Sequence, residues 1–550
     1  MEKIIAMHIP GNGDVCPTEK GMYVRFRSEK GKIESAELIY QDNKFDWWVS
    51  QKSAKMHKTL SDDLWDYFEL DVKTRDQRFA YIFRMVTAEG ETLFLHEEGI
   101  TESYDHSYSF LNYFQYTSQF PGEYNKVPDW VKKAVCYQIF VERFDIGDRS
   151  KDMSYVNSRW GELPKPKSFY GGDLDGIRKH LPYLKKLGIN MLYLTPVFKS
   201  ISNHKYDIKD YENVDEAFGG NDALKRLIED CHEKGIKVMI DGVFNHTAYQ
   251  HPFFMDVCEK GKDSRYADWY YFEKDEKPDF NKRNYRTFAA VAEMPKLNTG
   301  NPEVIEYFSG IGRKWIDEYG ADAWRLDVSD EVSHHFLRTF RDSILKSKED
   351  AIIIGEDWHN ATGYLDGDQY DGTMNYGIMK ACMDLLALET IDSAEFKNRI
   401  VDLYVKHSPV TNRKMMNLLD SHDTDRFLTR CKGDHVKHRA AMAIQFFYPG
   451  FPSVYYGDEI GLEGGYDPDC RRCFDWNRSH WDMDTFLLVK ELMKLRKKKV
   501  MSEGDFNITE KDGIVEIIRT YKGKEARLIL NATAKDIGEL PAWHFRIEEN

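Results

Sequence analysis

The sequence predicts an α/β protein built on a closed TIM-type (β/α)8 barrel with an inserted subdomain, preceded by an N-terminal β-sandwich and followed by a short all-β unit. Three observations carry this reading. From residue 134 onward, strand-like apolar runs alternate with amphipathic stretches such as DLDGIRKHLPYLKKLG and NDALKRLIEDCHEKG, the pattern of parallel β/α units. Eight runs qualify as barrel strands: AVCYQIF, INMLYLT, IKVMID, ADAWRLD, AIIIGE, DGTMN, MMNLLD and FPSVYY. Several of them end at an acidic residue, where a parallel barrel presents its chemistry.

Taken in order, residues 1–122 hold β-prone segments (GMYVRFRS, SAELIYQ, FAYIFRMVT) between Gly, Asn, Asp and Lys turns, which predicts a β-sandwich. The stretch QFPGEYNKVPDW, with two prolines and a glycine, reads as a linker. The barrel is assigned to residues 123–500. Within it, the segment from His246 to Asn298 is too long and aromatic for an ordinary loop and reads as an inserted subdomain, 246–298. Residues 501–550 read as antiparallel strands with a Lys-Gly turn, and the basic run KLRKKKV before them as a helix C-terminus, where positive charge is favourable.

A chain of 550 residues exceeds one compact core and predicts two to four units. Its formal net charge of −15, from 77 basic and 92 acidic residues, argues against a polyanionic partner such as nucleic acid and suits an uncharged ligand. The start of the chain, MEKIIAMHIPGNGD, lacks a continuous apolar segment, and no run approaches membrane-spanning length, so a cytoplasmic protein with no membrane partner is expected. Eight scattered cysteines, with one CxxC pair at Cys470 and Cys473, predict neither a disulfide scaffold nor a zinc site. Aromatic residues make up 14%, enough that some faces could serve sugar rings as well as the core.

The chemistry concentrates in short segments. Asp327 follows Ala323–Leu326, Glu356 follows Ile352–Ile354, and Asp423 follows Met415–Leu419. One acid after a strand is ordinarily a helix cap, but these have company. Arg325 lies two residues before Asp327, on the same face of a strand, where a guanidinium would keep the carboxylate ionised. His422 adjoins Asp423, and DGVFNH brings Asp241 and His246 to the end of another strand. Paired carboxyl groups flanking a glycosidic bond are the general machinery of sugar transfer.

Together these segments resemble the α-amylase family of retaining glycoside hydrolases. DGVFNH, RLD, the Glu before DWH, and SHDTDRF match its four strand-end motifs. MPKLN (Met294–Asn298), SNHKYD (Ser202–Asp207) and DPDCRR (Asp467–Arg472) resemble its cyclomaltodextrinase, maltogenic amylase and neopullulanase branch, over residues 128–480. The resemblance implies hydrolysis of α-1,4-glucosidic bonds in cyclodextrins, maltodextrins and related α-glucans, extending to pullulan, starch and α-1,6 bonds. Asp327 would be the nucleophile, Glu356 the general acid and Asp423 the transition-state stabiliser. Trp358, by desolvation, and Asp327, by repulsion, would favour a proton on Glu356.

By the same resemblance His246 and His422 would bond the sugar at the cleavage point, Tyr206 would stack on its ring, and Asp207 would brace the site. Asp467 and Arg471 would hold sugar on the non-reducing side, and Glu331 would influence which acceptor takes the glycosyl group. The family's calcium loop corresponds to IGDRSKD, but Ile146 and Lys151 stand where two Asn ligands belong. Asp148, Asp152 and Asp173 remain as candidate ligands, and the expectation is no required cofactor, with Lys151 able to take the cation's place. A homodimer in which residues 1–122 close the partner's cleft is expected. Two rival readings are a transglycosylase of the same fold and a non-catalytic amylase-like binding protein, which would ordinarily have lost one of the acids.

Overall fold

The computed structural model describes residues 4–11, 13–18, 21–74, 78–106, 112–117 and 126–550. At its centre eight parallel strands close a barrel: β1 (Cys136–Ile139), β2 (Met191–Leu194), β3 (Lys237–Gly242), β4 (Ala323–Leu326), β5 (Ile352–Gly355), β6 (Gly372–Asn375), β7 (Met416–Asn417) and β8 (Phe451–Tyr455). Closure comes from β1 pairing β8, with Cys136 opposite Ser453. Each of the eight predicted runs supplies one of these strands. Every residue of β1, β2 and β5 is buried on either face, and so their sequences are mostly apolar.

The covering helices begin where caps demand it. Asn301 accepts from the Glu303 amide with Pro302 at the first helical position of Pro302–Asp317, and Ser333 accepts from the Phe336 amide to start His334–Ser347. Their apolar stripes, including Phe308, Phe336 and Phe340, pack on Phe244 and Trp324 of the barrel wall, and Trp315 packs on Phe198. Lys494 and Arg496 do stand in the last turn of Met483–Arg496. Arg496, however, is a core residue, donating to the carbonyls of Gly450 (2.8 Å) and Met501 (3.1 Å).

The N-terminal unit is a sandwich. One sheet is organised around Gly21–Glu29 and Trp65–Val72, the other around Ile33–Gln41 and Phe79–Thr87. Alternate residues, Val24, Phe26, Leu38, Phe68 and Phe83, fill the space between them. The unit rests on the barrel through Arg25, which pairs with Asp14 (3.0 Å) and donates to the Val405 carbonyl. The expected linker and the boundary at residue 122 fall partly or wholly outside the described residues. At the other end, Asp505–Lys511, Ile514–Tyr521, Lys524–Asn531 and Phe545–Glu549 form an antiparallel sheet. Its Lys-Gly turn has positive φ at both residues, 49° at Lys522 and 80° at Gly523, as a tight hairpin requires. Among the described residues no helix is long and apolar enough to cross a membrane.

Candidate active site

At the C-terminal mouth of the barrel a single buried guanidinium gathers acids from adjacent strands. Asp241 and Arg325 sit opposite each other in register on β3 and β4. Arg325 Nη1 lies 3.1 Å from both Asp241 oxygens and 2.8 Å from Asp327 Oδ1. Its Nη2 lies 2.9 Å from Glu356 Oε2, an ion pair outside the hydrogen-bonding direction of that nitrogen. The Arg325 side chain is wholly buried. Three carboxyl groups therefore share one positive charge away from solvent.

That stoichiometry governs protonation. Burial pushes the Asp327 carboxyl well above the usual carboxylate range, Arg325 pulls against it, and the charges of Glu356 and Asp241 add to the rise. Burial likewise raises Asp241 to about 6, against the pull of Arg325 and hydrogen bonds from Tyr193 (2.7 Å) and Tyr206 (2.9 Å). The guanidinium is in contact with Asp327 as expected, and burial and the neighbouring acids oppose its pull on that carboxyl.

Glu356 is held at both oxygens. Its Oε2 accepts from the Val328 amide (2.9 Å), and its Oε1 from Trp358 Nε1 (3.1 Å). Val328 reaches this position with φ at 45°, a left-handed conformation unusual for a β-branched residue. Ser329 completes the clasp, donating its hydroxyl (2.8 Å) and amide (3.2 Å) to the Glu356 carbonyl. Trp358 differs from expectation. It is 45% exposed, stacks on Tyr376 at 4.1 Å, and donates to Glu356 instead of desolvating it.

Beside this cluster runs a hydrogen-bonded relay. Gln138 Nε2 lies 2.8 Å from His422 Nδ1, and His422 Nε2 lies 2.6 Å from the Tyr206 hydroxyl, which donates to Asp241. Burial holds His422 well below its ordinary pKa, so the neutral ring accepts at Nδ1 and donates at Nε2. His422 Nε2 is also 3.0 Å from Asp423 Oδ2. Arg471 Nη2 lies 3.3 Å from Asp423 Oδ1, its Nη1 lies 3.0 Å from Asp467, and its Nε donates to the His422 carbonyl at 2.7 Å. Tyr206 keeps 9% exposure and stacks parallel to His422 at 5.2 Å. Asp207 accepts from Ser200 at 2.5 Å.

His246 is 1% exposed, donates to the Tyr206 carbonyl (3.2 Å) and lies against Phe288 of the inserted segment. Its pKa is lowered by burial to about 3. Glu331 stands four residues after Asp327 at the rim, paired with Lys296 (2.8 Å). Of the residues singled out from sequence, Asp327, Glu356, Arg325, Asp423, Tyr206, His246, His422, Asp467, Arg471, Glu331 and Trp358 thus form one connected mouth.

Asp148, Asp152 and Asp173 do not converge on a metal position. Asp148 accepts from Ser150 (2.8 Å) and Asp152 from Ser154 (2.8 Å) in exposed turns of their own. Buried Asp173 caps Leu174–Lys179 and takes the Lys151 ammonium at 2.8 Å. The same ammonium donates to the carbonyls of Gly171 (2.8 Å) and Ala217 (2.7 Å). The loop's oxygens already surround a cation made of protein, and a second, divalent one does not fit beside it. Among the described residues no group of three or more His, Cys, Asp or Glu side chains is placed to hold a metal.

Sequence reasoning missed Gln138, Tyr193 and Lys296. Gln138 could have been found as the one amide inside an apolar strand, AVCYQIF, and Tyr193 as the polar tip in INMLYLT.

Comparison with known proteins follows the same lines. The family model described as alpha amylase, catalytic domain, matches residues 138–503, and that described as alpha amylase, N-terminal ig-like domain, matches residues 1–118. A cyclomaltodextrinase of Thermoanaerobacter pseudethanolicus is 39% identical over 520 residues, covering 94% of this chain and 90% of that one. A neopullulanase of Thermoactinomyces vulgaris is 39% identical over 525 residues, covering 94% and 88%. A solved cyclomaltodextrinase structure superposes with a TM-score of 0.90 at 35% identity, covering 96% and 91%.

Proposed function

Since the chain belongs to the α-amylase family of glycoside hydrolases, in its cyclomaltodextrinase and neopullulanase branch, we propose that Asp327 and Glu356 carry out a double displacement on α-1,4-glucosidic bonds. Asp327 attacks the anomeric carbon and forms a covalent glycosyl-enzyme, while Glu356 gives its proton to the leaving oxygen. Glu356 then takes a proton from the incoming acceptor, and attack on the same carbon releases the sugar with its configuration retained. The observation that carries this reading is the Arg325 guanidinium in contact with both carboxyls, which sets nucleophile and acid around one point.

The remaining roles follow from position. Asp423, tied to His422 and Arg471, bonds sugar hydroxyls as the ring distorts. Tyr206 offers its ring face, His246 and His422 line the cleavage point, and Asp467 with Arg471 binds the non-reducing side. Exposed Trp358, on the side of the acid, suits the leaving or accepting sugar. Cyclodextrins, maltodextrins and pullulan are the proposed substrates, and no cofactor enters any step. Product analysis on β-cyclodextrin, pullulan and soluble starch tests the substrate range. Trapping a glycosylated Asp327 peptide tests the route, and labelling of any other residue would refute it.

Dimerisation through the N-terminal unit belongs to the same proposal. It is supported by the turn at Lys44–Asp46 and the residues just after it, where Phe45 (56%) and Val49 (76%) stand exposed. Deleting the unit should change both the mass in solution and the cyclodextrin-to-starch activity ratio. A folded truncated protein with neither change rules the role out. A cytoplasmic setting is proposed on the eight free thiols and would be checked by cell fractionation.

A further inference from the structure

We infer that the cavity where the N-terminal sandwich, the barrel and the C-terminal sheet meet binds a phosphorylated sugar. Its volume of about 530 Å³ is that of a small-molecule site, and it shares no residue with the mouth around Arg325. All three units contribute wall. Thr59 and Glu69 come from the sandwich, Tyr404 and Arg413 from the segment between β6 and β7, and Arg519 from the C-terminal sheet.

One side of this cavity carries more positive charge than the protein balances. Arg519 is 2% exposed, and its neighbour Arg496 is 3% exposed. Among the described residues neither they nor Arg413 forms an ion pair with a carboxylate; they meet backbone carbonyls instead. Arg519 donates to Phe447 (3.0 Å) and Gly504 (2.8 Å), and Arg413 Nη2 donates to Glu503 (3.1 Å). Nε of Arg519 and Nε of Arg496 are buried with no hydrogen-bond partner. Burial, and then repulsion from Arg519 and Arg413, lower the Arg496 guanidinium to about 9, while burial and Arg413 lower Arg519 to about 10.

The acids of the wall leave this excess standing. Glu69 lies 3.5 Å from Arg25, Glu503 lies 3.5 Å from Lys499, and exposed Asp505 offsets Arg519 only in part. Asp71 has an interaction of its own, and Lys126 and Lys132 add positive charge. Buried cations ordinarily have an anion beside them, and guanidinium groups match the oxygens of a phosphate.

The opposite side asks for hydroxyl groups. Thr59 Oγ1 and Glu69 Oε1 are buried without hydrogen-bond partners, the first able to donate or accept and the second to accept. Tyr23 and Tyr404 add aromatic wall, the kind of surface that takes the C–H face of a sugar. Inorganic phosphate would answer only the guanidinium side. A sugar that carries a phosphate monoester answers both, its dianion on Arg413 and Arg519 and its hydroxyls on Thr59 and Glu69.

The test is calorimetric titration of the full-length protein at fixed ionic strength with glucose 1-phosphate, glucose 6-phosphate and inorganic phosphate. A sugar phosphate should bind with a Kd of about 1 mM or tighter, and about ten-fold more tightly than inorganic phosphate. Arg413→Met should weaken it by about ten-fold, the scale of one lost charge-assisted hydrogen bond. Thr59→Val should weaken it by about five-fold, the scale of a neutral one, and leave inorganic phosphate unchanged. Turnover on β-cyclodextrin without added phosphate should stay within about two-fold of wild type in both variants, since neither residue touches the mouth. Failure of both sugar phosphates to bind, equal affinity for inorganic phosphate, or full affinity in either variant overturns the inference.

Discussion

Two buried cations organise this molecule, and they do so with opposite stoichiometry. Lys151 meets one carboxylate oxygen and two backbone carbonyls, so its charge is balanced and its cradle full. Arg325 meets carboxyl groups from three residues, Asp241, Asp327 and Glu356, and leaves them short of positive charge. A balanced cluster has no reason to exchange protons. In an overloaded one the carboxyls are pushed toward the protonated form, and a proton held within reach of a glycosidic oxygen is a catalytic resource. The ratio of acids to cation separates the structural cluster from the reactive one.

The comparison can be broken most sharply at Asp327. Asp327→Ala should fold and yet lose on the order of 10⁴-fold or more in kcat on maltodextrins, since no other carboxyl group is available to form the covalent intermediate. Near-normal turnover, measured after a melting curve has established folding, would end the reactive reading of the Arg325 cluster. Next in size is Glu356→Gln. On maltose-type leaving groups the loss should be about 10²-fold to 10⁴-fold, and on activated aryl glycosides much smaller, because only the former need the proton. Equal losses on both would place the acid elsewhere.

At the other cation the effect should fall on stability. Lys151→Met strands the buried Asp173 carboxylate and should cost about 3 to 5 kcal/mol in denaturant unfolding, with kcat within about two-fold of wild type. The wild-type melting temperature should not respond to EDTA. A fall on chelation that calcium reverses would show that the loop takes a metal after all.

An effect that needs a change of pH to appear is expected away from both clusters, at His438. Its ring is buried and its pKa lowered to about 3, below its ordinary value of 6.5. The unfolded chain then binds that proton first, so the stability His438 contributes is complete above about pH 6.5 and is lost as pH falls toward 3. His438→Phe should flatten the pH dependence of unfolding by about one proton over that window, and an unchanged slope would show that the ring titrates normally.

Much of this was legible because it is local in sequence. The eight barrel strands announce themselves as apolar runs, and Arg325 and Asp327, two apart in a strand, were bound to share a face. Lys151 could be read as a cation's substitute because it stands in the loop whose ligands it replaces. What could not be read is whatever the fold assembles from a distance. Gln138 and His422 are 284 residues apart, and nothing in either segment names the other. Trp358 misled for a different reason. Proximity in sequence to Glu356 says that it is near, while its exposure and the aim of its Nε1 depend on Tyr376, which no local pattern specifies. The upward push on the Asp327 carboxyl was not legible because only one of its three charged neighbours, Arg325, lies on its own strand.

The turn at Val328 has a consequence for anyone who would improve this protein. A β-branched residue held at a φ of 45° works against its own backbone preference, and exchanging it for glycine is among the first changes a thermostability screen would reward. Yet that same amide fixes one oxygen of Glu356, and a looser hinge there would let the acid drift. Selection for heat tolerance alone would be expected to collect variants at position 328 that survive boiling better and work worse. A campaign that scores both traits would learn to leave that valine in place.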